Sequence, residues 1–168
     1  MEDQAKYKNF FVKRVNGYLQ KIIPIMDTTG KVLHYAVAPF QVELRPRDVF
    51  QIIVGAYILA VPTALTEEVW VLSGELPMIN ILAIALLSVF FVSLFIYSNF
   101  YRFVLKSHLF DYIKRVIATY GLTLVAVGLF LTIIEKCPWG IDNLLAIKRI
   151  LFVAFPASMS ATISDAIK

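Results

Sequence analysis

Charge and metal-binding side chains are scarce in this sequence. Asp, Glu, Lys and Arg make up 17% of the 168 residues, whereas apolar residues make up 59%. A water-soluble domain of this size has no room to hide so much apolar surface, and the apolar residues are contiguous rather than alternating. Only one cysteine is present, Cys137, which excludes an intramolecular disulfide; with no second Cys and no local His it makes no zinc site. The two histidines, His34 and His108, are far apart and lack companions. There is no HExxH, GxSxG, GxGxxG or Walker pattern, so neither an enzyme nor a cofactor is expected, and no metal is assigned. A cleaved signal peptide is not expected either, because Lys6, Lys8, Lys13, Arg14 and Lys21 interrupt the first 25 residues and leave no apolar core.

What remains reads as an all-α, polytopic membrane protein: a cytoplasmic amphipathic segment over 1–44, then a four-helix transmembrane domain over 45–168. In the first segment Phe11, Val15, Tyr18, Leu19 and Ile22 recur at helical spacing among Lys13, Arg14, Asn16, Gln20 and Lys21. This predicts an amphipathic helix over 5–26, either lying on anionic lipid headgroups or packed on the rest of the protein from the cytosol. Asp27-Thr28-Thr29-Gly30 is a turn signal, and the stretch from Val32 to Val42, with Pro39, suits a linker or short strand.

The first span is placed at about 49–71, with Asp48 as N-cap after Pro46, Glu67 and Glu68 at the far boundary, and Trp70 as an interfacial anchor. The second, about 78–99, opens at Pro77 and carries no charge through Tyr97. The third lies at about 113–134, with Gly121 and Gly128 on one face as a candidate close contact. The fourth, about 143–165, contains Lys148 and Arg149, which must either snorkel or pair with acids. Eight of the sixteen Lys and Arg precede Asp48, four lie between Arg102 and Arg115, none between Glu67 and Met78, and one between Glu135 and Asn143. By the positive-inside rule, both termini are cytoplasmic in a multi-pass protein of the cell (inner) membrane. The net charge of +4 points to anionic headgroups rather than to nucleic acid.

The residues with chemical potential cluster in two spans. Pro62 frees the Ile58 carbonyl, and Thr66-Glu67-Glu68 follow about one and a half turns on. Three readings stand for the two glutamates: ordinary residues at a helix end, an acidic ring at the pore mouth of an oligomer, or partners for Lys148 and Arg149, which sit at similar depth. The third resolves two puzzles at once and is preferred. The fourth span offers Pro156, Ser158, Ser160, Thr162 and Asp165; its small and hydroxylated residues favour close packing over a polar path, and Asp165 reads as a solvated terminal acid. Ala60–Thr66 and Ala154–Ser160 echo each other weakly, as inverted transporter repeats do.

Arg45-Pro46-Arg47-Asp48, Gly55-Ala56, Pro62, Thr66-Glu67-Glu68-Val69-Trp70 and Phe155-Pro156-Ala157-Ser158 together resemble a prokaryotic family of integral membrane proteins of unknown function, over residues 45–165. The resemblance implies a membrane location and adds no mechanism. Function is expected to be that of an oligomeric cation channel or transporter, with a non-conducting scaffold or regulatory subunit as the alternative. The partners expected are the lipid bilayer, anionic headgroups at the N-terminal helix, further copies of the chain, and a cation.

Overall fold

The structure is a computed structural model that describes residues 11–15, 18–26, 32–39, 44–101 and 108–167. The chain divides into two compact units, Met1–Glu43 and Leu44–Lys168.

Where an amphipathic helix was expected, the first unit holds an antiparallel sheet, β1 (Phe11–Val15), β2 (Tyr18–Met26) and β3 (Val32–Pro39), in the order β1-β2-β3. Val12, Val15, Ile22, Ile23 and Ile25 are β-branched and lose side-chain freedom in a helix, while Pro24 breaks a helix interior. Val15 pairs with Tyr18, so two residues, Asn16-Gly17, separate the strands; that dipeptide is a strong hairpin signal. Pro24 is tolerated in the middle strand because β1 pairs only with residues 18–22 of β2, which leaves Pro24 opposite Tyr35 alone. Of the two alternatives for the stretch after Val32, linker or short strand, Val32–Pro39 forms a strand. The turn at Asp27–Gly30 and residues 5–10 of the expected helix lie outside the described residues.

The second unit is a bundle of α1 (Pro46–Ala64), α2 (Glu67–Glu75), α3 (Met78–Ile96), α4 (Leu109–Ile133) and α5 (Asn143–Ala166), with a π-helical turn at Tyr97–Tyr101 ending α3. Four segments are long and apolar enough to cross a bilayer: Pro46–Ala64, Met78–Tyr101, Leu109–Ile133 and Asn143–Ala166. Phe50, Val54, Ile58, Leu86, Phe90, Ile117, Leu129 and Ile133 face outward, as lipid-facing positions should.

Both ends of α1 differ from expectation. The first span stops at Ala64 rather than near residue 71, because after Pro62 the Leu65 and Thr66 amides turn back to the Pro62 and Thr63 carbonyls. The Thr66 hydroxyl also donates to the Thr63 carbonyl, so a side chain competes for the backbone acceptor there. The chain restarts as α2, with Glu67 and Glu68 in its first turn, where the helix dipole favours acids. At the other end Pro46 is the first helical residue and Arg45 the cap, so Asp48 is the third residue of the first turn; its carboxylate accepts from the Arg45 amide at 3.1 Å. The start of α5 needs no revision: Asp142 caps it by accepting from the Leu145 amide at 2.9 Å.

Helices α1 and α5 pack most intimately. The buried positions of α1 (Asp48, Ile52, Ala56, Ala60 and Ala64) recur every fourth residue and form one stripe, with Gly55 beside it. A Cβ on Gly55 would lie 2.4 Å from the Ser164 Cβ and 2.9 Å from the Ala161 Cα, so the backbones approach as only glycine allows. By contrast, Gly121 has open space around it and Gly128 makes an ordinary 3.5 Å contact with Ile150. The close contact expected at those two glycines is made at Gly55.

Candidate functional site

Three charges from three helices meet inside the bundle. Asp48 lies in the first turn of α1, Arg115 two turns into α4, and Asp165 in the last turn of α5, all at one end of the bundle and all buried. Arg115 donates from Nε to Asp165 Oδ2 at 3.1 Å, and from Nη2 to Oδ1 at 2.9 Å and Oδ2 at 2.7 Å. Nη2 also lies 3.5 Å from Asp48 Oδ2, the oxygen that accepts from the Arg45 amide. This is a fork-on-carboxylate contact with a second acid behind it. Asp165, expected as a solvated terminal acid, is fully enclosed.

Aromatic rings hold the cluster in place. The π-helical turn carries Phe100, whose ring centre lies 4.0 Å from the Arg115 guanidinium carbon, and buries Tyr101 edge-on against Tyr112, with ring centres 5.2 Å apart. Tyr112 in turn donates to the Ser93 carbonyl at 3.1 Å, tying α4 to α3. A buried guanidinium is tolerable only when its donors are met and its charge is neutralised, and here both conditions hold. Taken formally, the cluster is one cation against two carboxylates.

The residues singled out in the sequence lie elsewhere, apart from Asp165. Glu67 and Glu68 are exposed in the first turn of α2, and Thr66, also exposed, precedes them. Neither glutamate is in an ion pair among the described residues. Lys148 instead donates to the Gly74 carbonyl at 2.8 Å, in the last turn of α2, and Arg149 to the Lys136 carbonyl at 2.6 Å. The cations of the fourth span are thus accommodated by backbone carbonyls, and Lys148 also meets the negative end of the α2 dipole. Pro62 is exposed in the last turn of α1, while Pro156 is half-buried in α5. Ser158 and Thr162 are buried, and their hydroxyls donate to the Phe155 and Ser158 carbonyls of their own helix; Ser160 is buried beside them. Among the described residues no group of three His, Cys, Asp or Glu side chains is placed to hold a metal ion.

Sequence reasoning missed Arg115 and Asp48 as site residues. The expected span of 113–134 puts Arg115 in its first turn, at the membrane boundary, whereas α4 begins at Leu109 and places it two turns inside the helix. Its position at the same end of the bundle as Asp48 and Asp165 is the available signal.

Four apolar helices around a buried ionic cluster define a multi-pass integral membrane protein. The chain belongs to the DUF2391 family of integral membrane proteins, which matches residues 30–165. Neither a curated protein nor a solved structure matches it.

Proposed function

We propose that this protein is a non-conducting membrane scaffold or regulatory subunit whose four spans form a closed bundle. The observation that carries this reading is the Arg115–Asp165–Asp48 cluster. Its buried side chains bond to one another across α1, α4 and α5 and so clasp the bundle end, instead of lining an open path. The Gly55 contact supports it, since α1 and α5 touch where a polar path along α5 would run. Charge asymmetry along the chain favours both termini on the cytoplasmic side of the cell membrane, with the basic N-terminal unit facing anionic headgroups or a cytosolic partner.

Thiol accessibility tests the reading. In a Cys137→Ser background, cysteines placed singly at Ser158, Ser160 and Thr162 are expected to stay unmodified by a membrane-impermeant thiol reagent from either side. Rapid modification of Ser158→Cys or Ser160→Cys would show an aqueous path and overturn it.

A cation channel or transporter formed by several copies is the second reading. It is favoured by the exposure of Glu67 and Glu68, which leaves both carboxylates available to form an acidic ring between protomers. Its requirement is cation flux that depends on those two residues.

A further inference from the structure

At the end of the bundle opposite the ionic cluster, where Glu67, Glu68, Glu75, Glu135 and Asp142 also lie, two cations flank an indole and a third lies close by. Trp70, on α2, has the Lys136 ammonium and the Arg149 guanidinium each 5.4 Å from its ring centre, and Lys148 neighbours Arg149 in the sequence. None of the three cations is in an ion pair among the described residues. Lys148 and Arg149 spend donors on neutral carbonyls, which satisfy hydrogen bonding and leave the charge in place. Arg149 Nε is enclosed and has no hydrogen-bond partner, so the guanidinium retains donor capacity. The second tryptophan, Trp139, is exposed in the α4–α5 connection and donates from its indole to Thr132 Oγ1 at 2.9 Å. Two tryptophans at one helix end mark the level of the bilayer boundary, where phosphate groups lie.

Cations that no carboxylate contacts among the described residues can take an anion at a low-dielectric boundary, and arginine with lysine beside an aromatic ring suits a tetrahedral, multiply charged oxyanion. We infer that Lys136 and Arg149, set against Trp70, with Lys148 at the Gly74 carbonyl one turn further along α2, bind a phosphate group, supplied by a phospholipid headgroup or by free phosphate. The site is independent of the scaffold reading and of the cluster at Arg115. Lys136 is exposed, whereas Arg149 is half-buried.

The test uses full-length protein in uncharged detergent, with Trp139→Phe so that Trp70 is the only fluorophore of its kind. Three probes are titrated: phosphatidylglycerol, phosphate-free diacylglycerol, and inorganic phosphate. A saturable change in Trp70 emission is expected with phosphatidylglycerol and not with diacylglycerol. Lys136→Gln alters an exposed side chain and keeps the carbonyl that Arg149 uses; it is expected to weaken binding by about tenfold, the value of one charge-assisted contact, with the unfolding temperature unchanged. Arg149→Lys retains the charge without the fork and is expected to weaken it as well. Saturation by inorganic phosphate at similar concentration assigns the site to free phosphate; response to the lipid alone assigns it to a headgroup. No saturable response to either phosphate probe, or undiminished binding in Lys136→Gln and Arg149→Lys, overturns the inference.

Discussion

Arg115 and Asp165, fifty residues apart in the sequence, meet inside the bundle through Nε and Nη2 at 2.7–3.1 Å, joining the second turn of α4 to the last turn of α5. Removing one partner strands the other charge in a buried site. Asp165→Ala is therefore expected to lower stability by about 3–5 kcal/mol, and Asp48→Asn, which loosens only the longer contact, by less. The triple variant Arg115→Met, Asp165→Leu and Asp48→Asn, which removes all three charges, is expected to recover most of the loss. Unfolding of the purified protein in detergent, with the single variants alongside, measures each cost, and additive costs in the triple variant would show that the residues act independently.

The Gly55 contact makes a second expectation, with an internal control. Gly55→Ala forces the new methyl into Ser164 and is expected to cost about 1–3 kcal/mol, partly restored by Ser164→Gly. Gly121→Ala meets nothing within 4 Å and is expected to be neutral or to stabilise by up to about 1 kcal/mol, because alanine is the better helix former. Thermal midpoints of the single variants decide it; equal losses at both glycines would contradict the packing described.

Glu67→Gln and Glu68→Gln each remove an exposed acid at the start of α2 and are expected to cost no more than the dipole interaction, about 0.3–1 kcal/mol. Lys148→Met, which loses the bond to Gly74, is expected to free α2 from α5 and to raise hydrogen exchange across α2. Larger losses in the glutamate variants than in Lys148→Met would restore the ion-pair reading.

Burial pushes the Cys137 thiol up, with Arg149 and the Thr132 hydroxyl pulling the other way. A raised value in the folded state means that the neutral thiol contributes stability, intact below the unfolded thiol's range near about 8.5 and lost as pH rises through the folded value. Alkylation of Cys137 by iodoacetamide is accordingly expected to be slow at neutral pH and to rise only above the range of an exposed cysteine; Arg149→Gln should move that rise higher still.

How much of this was legible in the sequence depended on the range of the interaction. Uncharged runs such as Met78–Tyr97 announce spans because lipid demands internally bonded, apolar helices, and the structure places spans there. The N-terminal unit was misread because Phe11, Val15, Tyr18 and Ile22 fit a helical stripe, while Asn16-Gly17 and Pro24 carried the decisive local signal for strands. The ionic cluster depends on which residues of α1, α4 and α5 share a depth, and that follows from where each helix begins. Once α4 starts at Leu109, Arg115 is an interior charge and needs a partner. Gly55 was visible as a residue, but the partner that requires it, Ser164, is set by the antiparallel register of α1 and α5.

The reading of a closed, non-conducting bundle is tested most directly by flux. Protein reconstituted into sealed liposomes is expected to give tracer cation uptake equal to that of empty liposomes, with or without an imposed potential. Uptake above the empty vesicles that falls in Glu67→Gln or Glu68→Gln would contradict the reading and establish a conducting assembly.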